Sequence, residues 1–483
     1  MKSTFFYNTP LGNTYWTDIM SNNISLCHPQ LFKDFNKYLE KNKFSSRKSY
    51  YQRKVQYLIN HGIFKDYSKK QPIIITGQQI LKELVNTQQI CFEVTDACNL
   101  KCKYCGYGDY YCDYDPRDNN YLSFKLVVNL FKYLTNLWGD SRYCIEDKPI
   151  NVSFYGGEPL LNINLIKSIV EFLKEFEKFK RFTYSMTTNG TLLHNHLDFL
   201  VKNDIHLLIS LDGNEENNSY RIDKKGNSTF DQIISNIELI IKNYPTYFEK
   251  KVEFNAVLHN RNSVKDIYEF IQDRFKKIPR IGELNNMGIK PEKQSDFITT
   301  YKNFNESLFD NENYNEINSG LFTNSPIYID ILRMIHCYSG FVFKNYNYLL
   351  KTMPISKIVP TGTCIPFSKR IFITTQGKIL PCERIGQQFA LGSISEKIVN
   401  IDFEHIAEMY NNYFKKMKKQ CNNCFRTDFC IQCIFNLNHL DKQPHCKGLL
   451  NNEGLRSYFN AIITFLEQHR MDYFRIMEEV IMN

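Results

Sequence analysis

The chain is predicted to be an α/β protein built from parallel βαβ units, and three observations point to this. Short apolar runs at 90–95, 150–154, 182–186, 205–211 and 252–258, with a weaker one near 279–284, have the length of buried strands. Stretches with helical spacing at 123–138, 164–177, 230–243 and 264–275 lie between them. The segments richest in candidate chemistry follow directly on the strands, where a barrel of this class gathers its functional groups. Strand-helix alternation implies right-handed crossovers into one parallel sheet, and six such units make an incomplete (β/α)6 TIM-type barrel.

In chain order, residues 1–88 precede the first barrel strand and read as an α+β region. Runs at 3–7 and 13–24 suit short strands, 29–39 a helix, and 50–60 a second helix that ends at His61-Gly62. The barrel core is placed at 89–345 and a cysteine-rich region at 346–450. Within the latter, 370–380 reads as a hairpin with Gln376-Gly377 at its turn. A final helix is expected over 451–483, with Leu455, Tyr458, Phe459, Ile462, Phe465 and Leu466 at core spacing.

At 483 residues, 43% of them apolar, the chain has material for two to four ordinary globular domains. No run of eighteen apolar residues and no signal-peptide core is present, so a cytoplasmic protein without a membrane partner is expected. The formal charge of +9 is spread over residues such as Lys41, Lys43, Arg47, Lys48, Arg53 and Lys54 without a base-reading motif. A solvated face explains it, and no nucleic acid is expected as partner. Fifteen cysteines, an odd number at metal-type spacings, argue against a secreted disulfide framework.

The first cysteine group is Cys98, Cys102 and Cys105, in C-x3-C-x2-C spacing. Three thiolates are soft donors of the kind iron–sulfur clusters select, and three ligands to a four-iron cluster leave one iron open for a ligand. Zinc sites instead pair two short C-x2-4-C elements, or one such element with histidines. Here no histidine occurs between Cys105 and His194.

This segment, with Tyr104 in the aromatic slot, resembles the signature of the radical S-adenosylmethionine (SAM) superfamily. The resemblance implies a [4Fe–4S] cluster whose open iron chelates SAM, one-electron cleavage of the sulfonium, and a 5′-deoxyadenosyl radical that abstracts a substrate hydrogen. Four later segments resemble the family's SAM-binding landmarks in order: Tyr155-Gly156-Gly157-Glu158-Pro159, Thr187-Thr188-Asn189-Gly190, Ser210-Leu211-Asp212-Gly213, and the run 252–258 with Asn255. The two glycines let backbone approach a ligand, and Glu158 offers an acceptor to its ammonium. Ser210 and Asp212 would face ribose hydroxyls, and Arg221 the SAM carboxylate.

A second group, Cys364, Cys382, Cys421, Cys424, Cys430, Cys433 and Cys446, resembles the SPASM extension of radical SAM peptide maturases, which binds two auxiliary iron–sulfur clusters. By position Cys421, Cys424, Cys430 and Cys446 would hold the distal cluster, and Cys364, Cys382 and Cys433 the proximal one. The family spaces Cys433 one residue further on and has an additional cysteine between Cys364 and Cys382; without it, the proximal cluster keeps an open iron or recruits Cys337. Two structural zinc sites are the alternative reading of these cysteines.

The expected function is a peptide or protein maturase that forms thioether or other crosslinks, or epimerises, in a ribosomally made peptide. Residues 1–88 resemble the winged-helix module that binds a precursor's leader segment as an added strand; a structural cap on the barrel is the alternative. A flavodoxin or ferredoxin would supply electrons. Formylglycine generation on a sulfatase is the alternative within the class, and a non-catalytic zinc- or cluster-stabilised protein binding peptide or nucleic acid is the alternative outside it.

Overall fold

The computed structural model describes residues 4–19, 23–41, 44, 48–61, 74–113, 117–139, 148–338, 361–426, 430–440 and 442–480. Contacts divide the chain into two compact units, each discontinuous in sequence. The larger combines Ile74–Ser325 with Cys364–Asn412, and the smaller combines Met1–Ile73, Pro326–Thr363 and Tyr413–Asn483.

The smaller unit begins with three antiparallel strands in the order β1 (Thr4–Asn8), β2 (Thr14–Asp18), β3 (Asn23–Leu26). One face of this sheet meets the helix Pro29–Lys41, with Phe6 against Phe32 and Phe35. The other meets the helix Asn452–Gln468, where Tyr7 stacks on Phe459 at 6.0 Å between ring centroids. The helix Tyr50–Asn60 starts at a full capping box between Ser49 and Gln52, worth about 1 kcal/mol. The single final helix expected over 451–483 is instead two, Asn452–Gln468 and Arg470–Glu479. The break falls at His469, whose backbone N–H and ring Nδ1 both turn to the Phe465 carbonyl.

The larger unit is organised by a ten-stranded sheet. Six strands lie side by side and parallel in chain order: β4 (Gln89–Thr95), β5 (Ile150–Gly156), β6 (Phe182–Thr188), β7 (His206–Ser210), β8 (Val252–Leu258) and β9 (Arg280–Glu283). These are the six expected strands, and β9 ends the row without closing onto β4, so the barrel is incomplete. On the far side of β4 come β10 (Ile371–Ile373, parallel to it), then β11 (Lys378–Leu380), β12 (Gly392–Ile394) and β13 (Val399–Ile401), antiparallel to one another. β10 and β11 form the expected hairpin, and Gly377 supplies the φ of +79° at its turn. Strand pairing thus joins residues 364–412 to the barrel strands.

The core sits on one face of this sheet. In β8, Val252, Phe254, Ala256 and Leu258 are buried, while Glu253, Asn255 and Val257 between them are half-buried, a strict period of two. The buried face packs on helices such as Phe124–Trp138, Phe230–Asn243 and Val264–Phe275, through Phe131, Ile237 and Ile271 among others. Each such side chain stabilises the fold by roughly 1.5–3 kcal/mol. The opposite face carries the polar Ser153, Ser185, Ser210 and Asn255 among residues such as Leu208 and Val257. The functional loops rise from the C-terminal ends of the strands beside that face.

Candidate active site around the Cys98 loop

β4 ends at Thr95, whose hydroxyl donates to Asn120 O and accepts from Ala97 N, turning the chain into the cysteine loop. Asp96 accepts from Asn120 N at 2.7 Å and Asn120 Nδ2 at 2.8 Å, tying the loop's start to residues 118–120. The middle is tied to the segment after β7, by Lys101 N to Ile222 O at 2.8 Å and Lys103 N to Tyr220 O at 3.3 Å. From β5, Gly157 N donates to Thr95 O and Glu158 N to Ala97 O, both at 2.9 Å. A Cβ on Gly156 would lie 2.1 Å from Thr95 O, and one on Gly157 2.0 Å from Ala97 O. The expected backbone approach is therefore to the cysteine loop itself: with no side chain, β5 can dock onto it.

Cys98, Cys102 and Cys105 are free and half-buried on this loop. Cys98 Sγ accepts from Leu100 N at 3.4 Å and from Asn189 Nδ2 at 3.9 Å. Burial, and then the neighbouring thiols, raise the Cys98 thiol and push Cys102 up to about 12. Two buried thiols whose ionisation is disfavoured would need compensating positive charge to act as thiolates, which iron provides. Among the described residues, no three His, Cys, Asp or Glu side chains close round a single metal ion. Three thiolates are soft donors of the kind iron–sulfur clusters take.

Glu158 is wholly buried and accepts from Leu160 N, Thr188 Oγ1 and Asn189 N at 3.1, 2.8 and 2.7 Å. Three of its roughly four acceptor sites are thus already used on the ends of β5 and β6. Burial lifts its pKa to about 7 against the opposing pull of those donors. Asn189 belongs to the site: its amide donates to Asn99 Oδ1 at 2.8 Å as well as to Cys98. Ser210 and Asn255 are register partners on β7 and β8, both half-buried on the same sheet face.

Asp212 and Arg221, expected at the ribose and the carboxylate of SAM, are buried and bound to each other. Arg221 donates from Nε and Nη2 to the two Asp212 oxygens at 2.9 and 3.0 Å. Asp212 also accepts from Val257 N at 2.9 Å and from the Tyr104 hydroxyl. Burial alone would raise its pKa, but the Arg221 charge and the hydrogen bonds hold it at about 2. Tyr104 stacks on His259, with 5.4 Å between centroids, and takes the Arg221 guanidinium over its ring. Spacing motifs showed each of these residues but not their pairing, because both partners reach the same buried point from different loops.

Sequence reasoning passed over His259, Asn99 and Glu93. His259 directly follows β8, at the strand end where a barrel concentrates function, and that position was the available signal. Asn99 lies inside the cysteine motif and donates to Thr191 Oγ1 at 2.8 Å. Glu93, on the polar face of β4, accepts from Thr375 N at 3.1 Å at the hairpin turn, beside a small polar cavity lined also by Tyr107, Arg117 and Gln387.

In the smaller unit, Cys421, Cys424, Cys430 and Cys446 lie near enough to act on one another electrostatically. Burial first, then these neighbouring thiols, lifts Cys421 to about 11, and Cys430 and Cys446 are raised for the same reasons. Cys424 Sγ accepts from Arg426 N and Leu450 N, both at 3.3 Å. This is the set expected for the distal cluster. Cys364 and Cys382 belong to the larger unit and Cys433 to the smaller. The Cys337 side chain lies outside the described residues.

The sequence model of the Radical SAM superfamily matches residues 92–274. An uncharacterised protein of Methanocaldococcus jannaschii is 34% identical over 148 residues, 30% of this chain and 46% of that protein, so the match spans under half of that relative. Radical SAM cyclopropyl synthase TigE of Paramaledivibacter caminithermalis is 23% identical over 412 residues, 84% of this chain and 74% of that protein. The cysteine-type anaerobic sulfatase-maturating enzyme of Clostridium novyi is 26% identical over 391 residues, 76% of this chain and 93% of that enzyme. Parallel strand order and a three-cysteine loop after the first barrel strand accompany the family match: over residues 92–274 the chain is similar to the radical SAM superfamily.

Proposed function

We propose that this chain is a cytoplasmic radical SAM maturase that modifies side chains of a ribosomally made peptide. The carrying observation is the loop of three free thiols after β4, beside the sheet face that presents Ser210 and Asn255. Similarity to that superfamily implies one [4Fe–4S] cluster and SAM, which when bound would supply the one-electron chemistry that generates a 5′-deoxyadenosyl radical. Cys98, Cys102 and Cys105 would hold the cluster, and Asn189 restrains Cys98 through its amide. Ser210 and Asn255 present polar groups to SAM, while Gly156, Gly157 and Glu158 lock the cysteine loop to the neighbouring strands. The protein's share of the work is to hold this geometry and exclude side reactions.

The grouping of Cys421, Cys424, Cys430 and Cys446 supports an auxiliary cluster of the SPASM kind. A flavodoxin or ferredoxin would deliver electrons. The winged-helix reading of the N-terminal region draws support from β3, whose one described pairing is to β2 and which leaves an edge for a leader strand. Among the described residues no helix is long and apolar enough to cross a membrane.

Formylglycine generation on a sulfatase is the second reading, favoured by the 93% coverage of the Clostridium novyi relative. The deciding experiment is anaerobic reconstitution with iron and sulfide, iron counting, then dithionite and SAM with detection of 5′-deoxyadenosine. A brown protein that releases it supports the radical mechanism. A colourless, zinc-loaded, inactive protein, beside a control that reconstitutes, overturns the proposal in favour of a binding protein. Cysteine-containing sulfatase peptides and the short peptides encoded beside the gene then separate the two readings by product mass.

A further inference from the structure

We propose that the cations gathered around Tyr220, beside the cysteine loop, form the docking surface for an acidic one-electron carrier protein. This rests on the radical SAM reading above and names the face of the molecule through which the electron enters.

Lys101 and Lys103 flank Cys102 in the loop, and Lys101 is exposed. Lys103 Nζ stands 5.2 Å from the centre of the Tyr220 ring. The Arg261 guanidinium covers the same ring at 4.1 Å and donates from Nη1 to Ser219 Oγ at 3.0 Å. The turn 223–227 is joined to the loop by the Leu100–Asp223 bridge and by Lys101 N to Ile222 O, and at its tip Lys224 and Lys225 are exposed. Two acidic groups lie among these cations. Asp296 is paired with Lys103 Nζ at 2.9 Å, and Asp223 accepts from Lys225 N, Asn227 N and Asn227 Nδ2 within its own turn. Exposed Glu215 and Glu216, on the turn before Ser219, limit the patch on that side, and the cations remain in excess.

Tyr220 is buried beneath Lys103 and Arg261 and belongs to the aromatic cluster, with Tyr104, Tyr110 and Tyr111, against which Cys102 packs. The Tyr104 and Tyr220 rings meet edge to face, 6.3 Å between centroids. The surface cations and the Cys102 side chain therefore contact one and the same aromatic cluster. Electron transfer through protein slows steeply with distance, so a donor serves best where a cluster ligand comes close beneath the surface. The transfer is simple in its balance: one electron leaves the carrier, which is oxidised by one step, and reduces the cluster by one, with no bond made or broken and no proton moved. Positive charge on the surface steers an acidic partner and orients it. Electron-transfer encounters are small, weak and salt-sensitive, and a few cations around one contact point are enough to form them.

The test measures binding of oxidised flavodoxin, and in parallel of an acidic [2Fe–2S] ferredoxin, to the reconstituted full chain by isothermal titration calorimetry at low salt. Whichever carrier binds, Lys224→Glu/Lys225→Glu, a reversal on an exposed turn, should weaken it about tenfold. Wild-type affinity should fall as salt rises, and that of the variant should change less. Lys132→Glu/Lys397→Glu makes the same change in net charge at exposed positions on the helix Phe124–Trp138 and just before β13, and should bind as wild type does. The ratio of carrier-driven to dithionite-driven 5′-deoxyadenosine formation should drop in Lys224→Glu/Lys225→Glu in step with the affinity. Carrier binding untouched by that reversal, or weakened as much by the remote one, overturns the inference and leaves the radical SAM reading intact. A reversal that spares carrier binding and instead weakens peptide modification driven by dithionite would make this a substrate surface, and overturns it as well. A wild-type protein that yields no 5′-deoxyadenosine with dithionite overturns both.

Discussion

Arg221 and Asp212 form a two-point ion pair, Nε to Oδ2 at 2.9 Å and Nη2 to Oδ1 at 3.0 Å, with both side chains removed from solvent. Such pairs stabilise little relative to an apolar isostere, but breaking one strands a buried charge at a cost of about 3–5 kcal/mol. Asp212→Ala is therefore expected to lower stability by that order, measured by urea unfolding of the cluster-free protein. A change under 1 kcal/mol would show that water reaches Arg221.

Gly157→Ala places a methyl group 2.0 Å from the Ala97 carbonyl oxygen, which is backbone and cannot swing aside. Overpacking of this kind costs about 1–3 kcal/mol. Its strain falls on the residue before Cys98, so iron bound after reconstitution should drop together with the melting temperature. Wild-type iron content would argue that the loop tolerates the shift.

Glu158 gives the stability a pH signature. Its carboxyl lies at about 7 in the folded chain, above the ordinary 4.5, because burial disfavours the charge. The folded state therefore keeps a proton that the unfolded chain releases. This contribution is full below pH 4.5 and declines as the pH rises to 7, by on the order of 3 kcal/mol. Glu158→Gln, neutral at all pH values, should flatten the urea midpoint between pH 5 and 7.5. A slope equal to that of the wild type would place the titration elsewhere.

Replacing Cys98, Cys102 and Cys105 together by Ala should abolish 5′-deoxyadenosine formation and remove about four irons per chain, as expected for one four-iron cluster. Iron in the smaller unit should remain. Loss of all iron would contradict the assignment of separate sites.

A proline in β3, Leu26→Pro, should weaken leader-peptide binding at least tenfold by blocking strand addition, with SAM cleavage in the absence of peptide unchanged. Cys27 N donates to Thr14 O across the ladder, so the Leu26 N–H faces the open edge, and circular dichroism should first show the sheet intact. Unchanged affinity would remove the edge from the binding account.

The sequence by itself determined the six parallel strands and the three-thiol loop, and the reason is local. A strand buried on one face reads as apolar spacing, so 252–258 was legible to the residue, and three cysteines within eight positions are confined to one loop whatever surrounds them. Tertiary structure alone decided which polar groups remain available. Glu158 is engaged by donors from β6, Gly156 and Gly157 serve the approach of β5 to the cysteine loop, and Asp212 and Arg221 occupy each other. His259 gains its place beside Tyr104 only when β8 lies next to β7. Hydrogen-bond partners far apart in sequence are set by strand order and register, which no single stretch of chain encodes, and in a buried site those partners decide whether a carboxylate meets a ligand or another part of the protein.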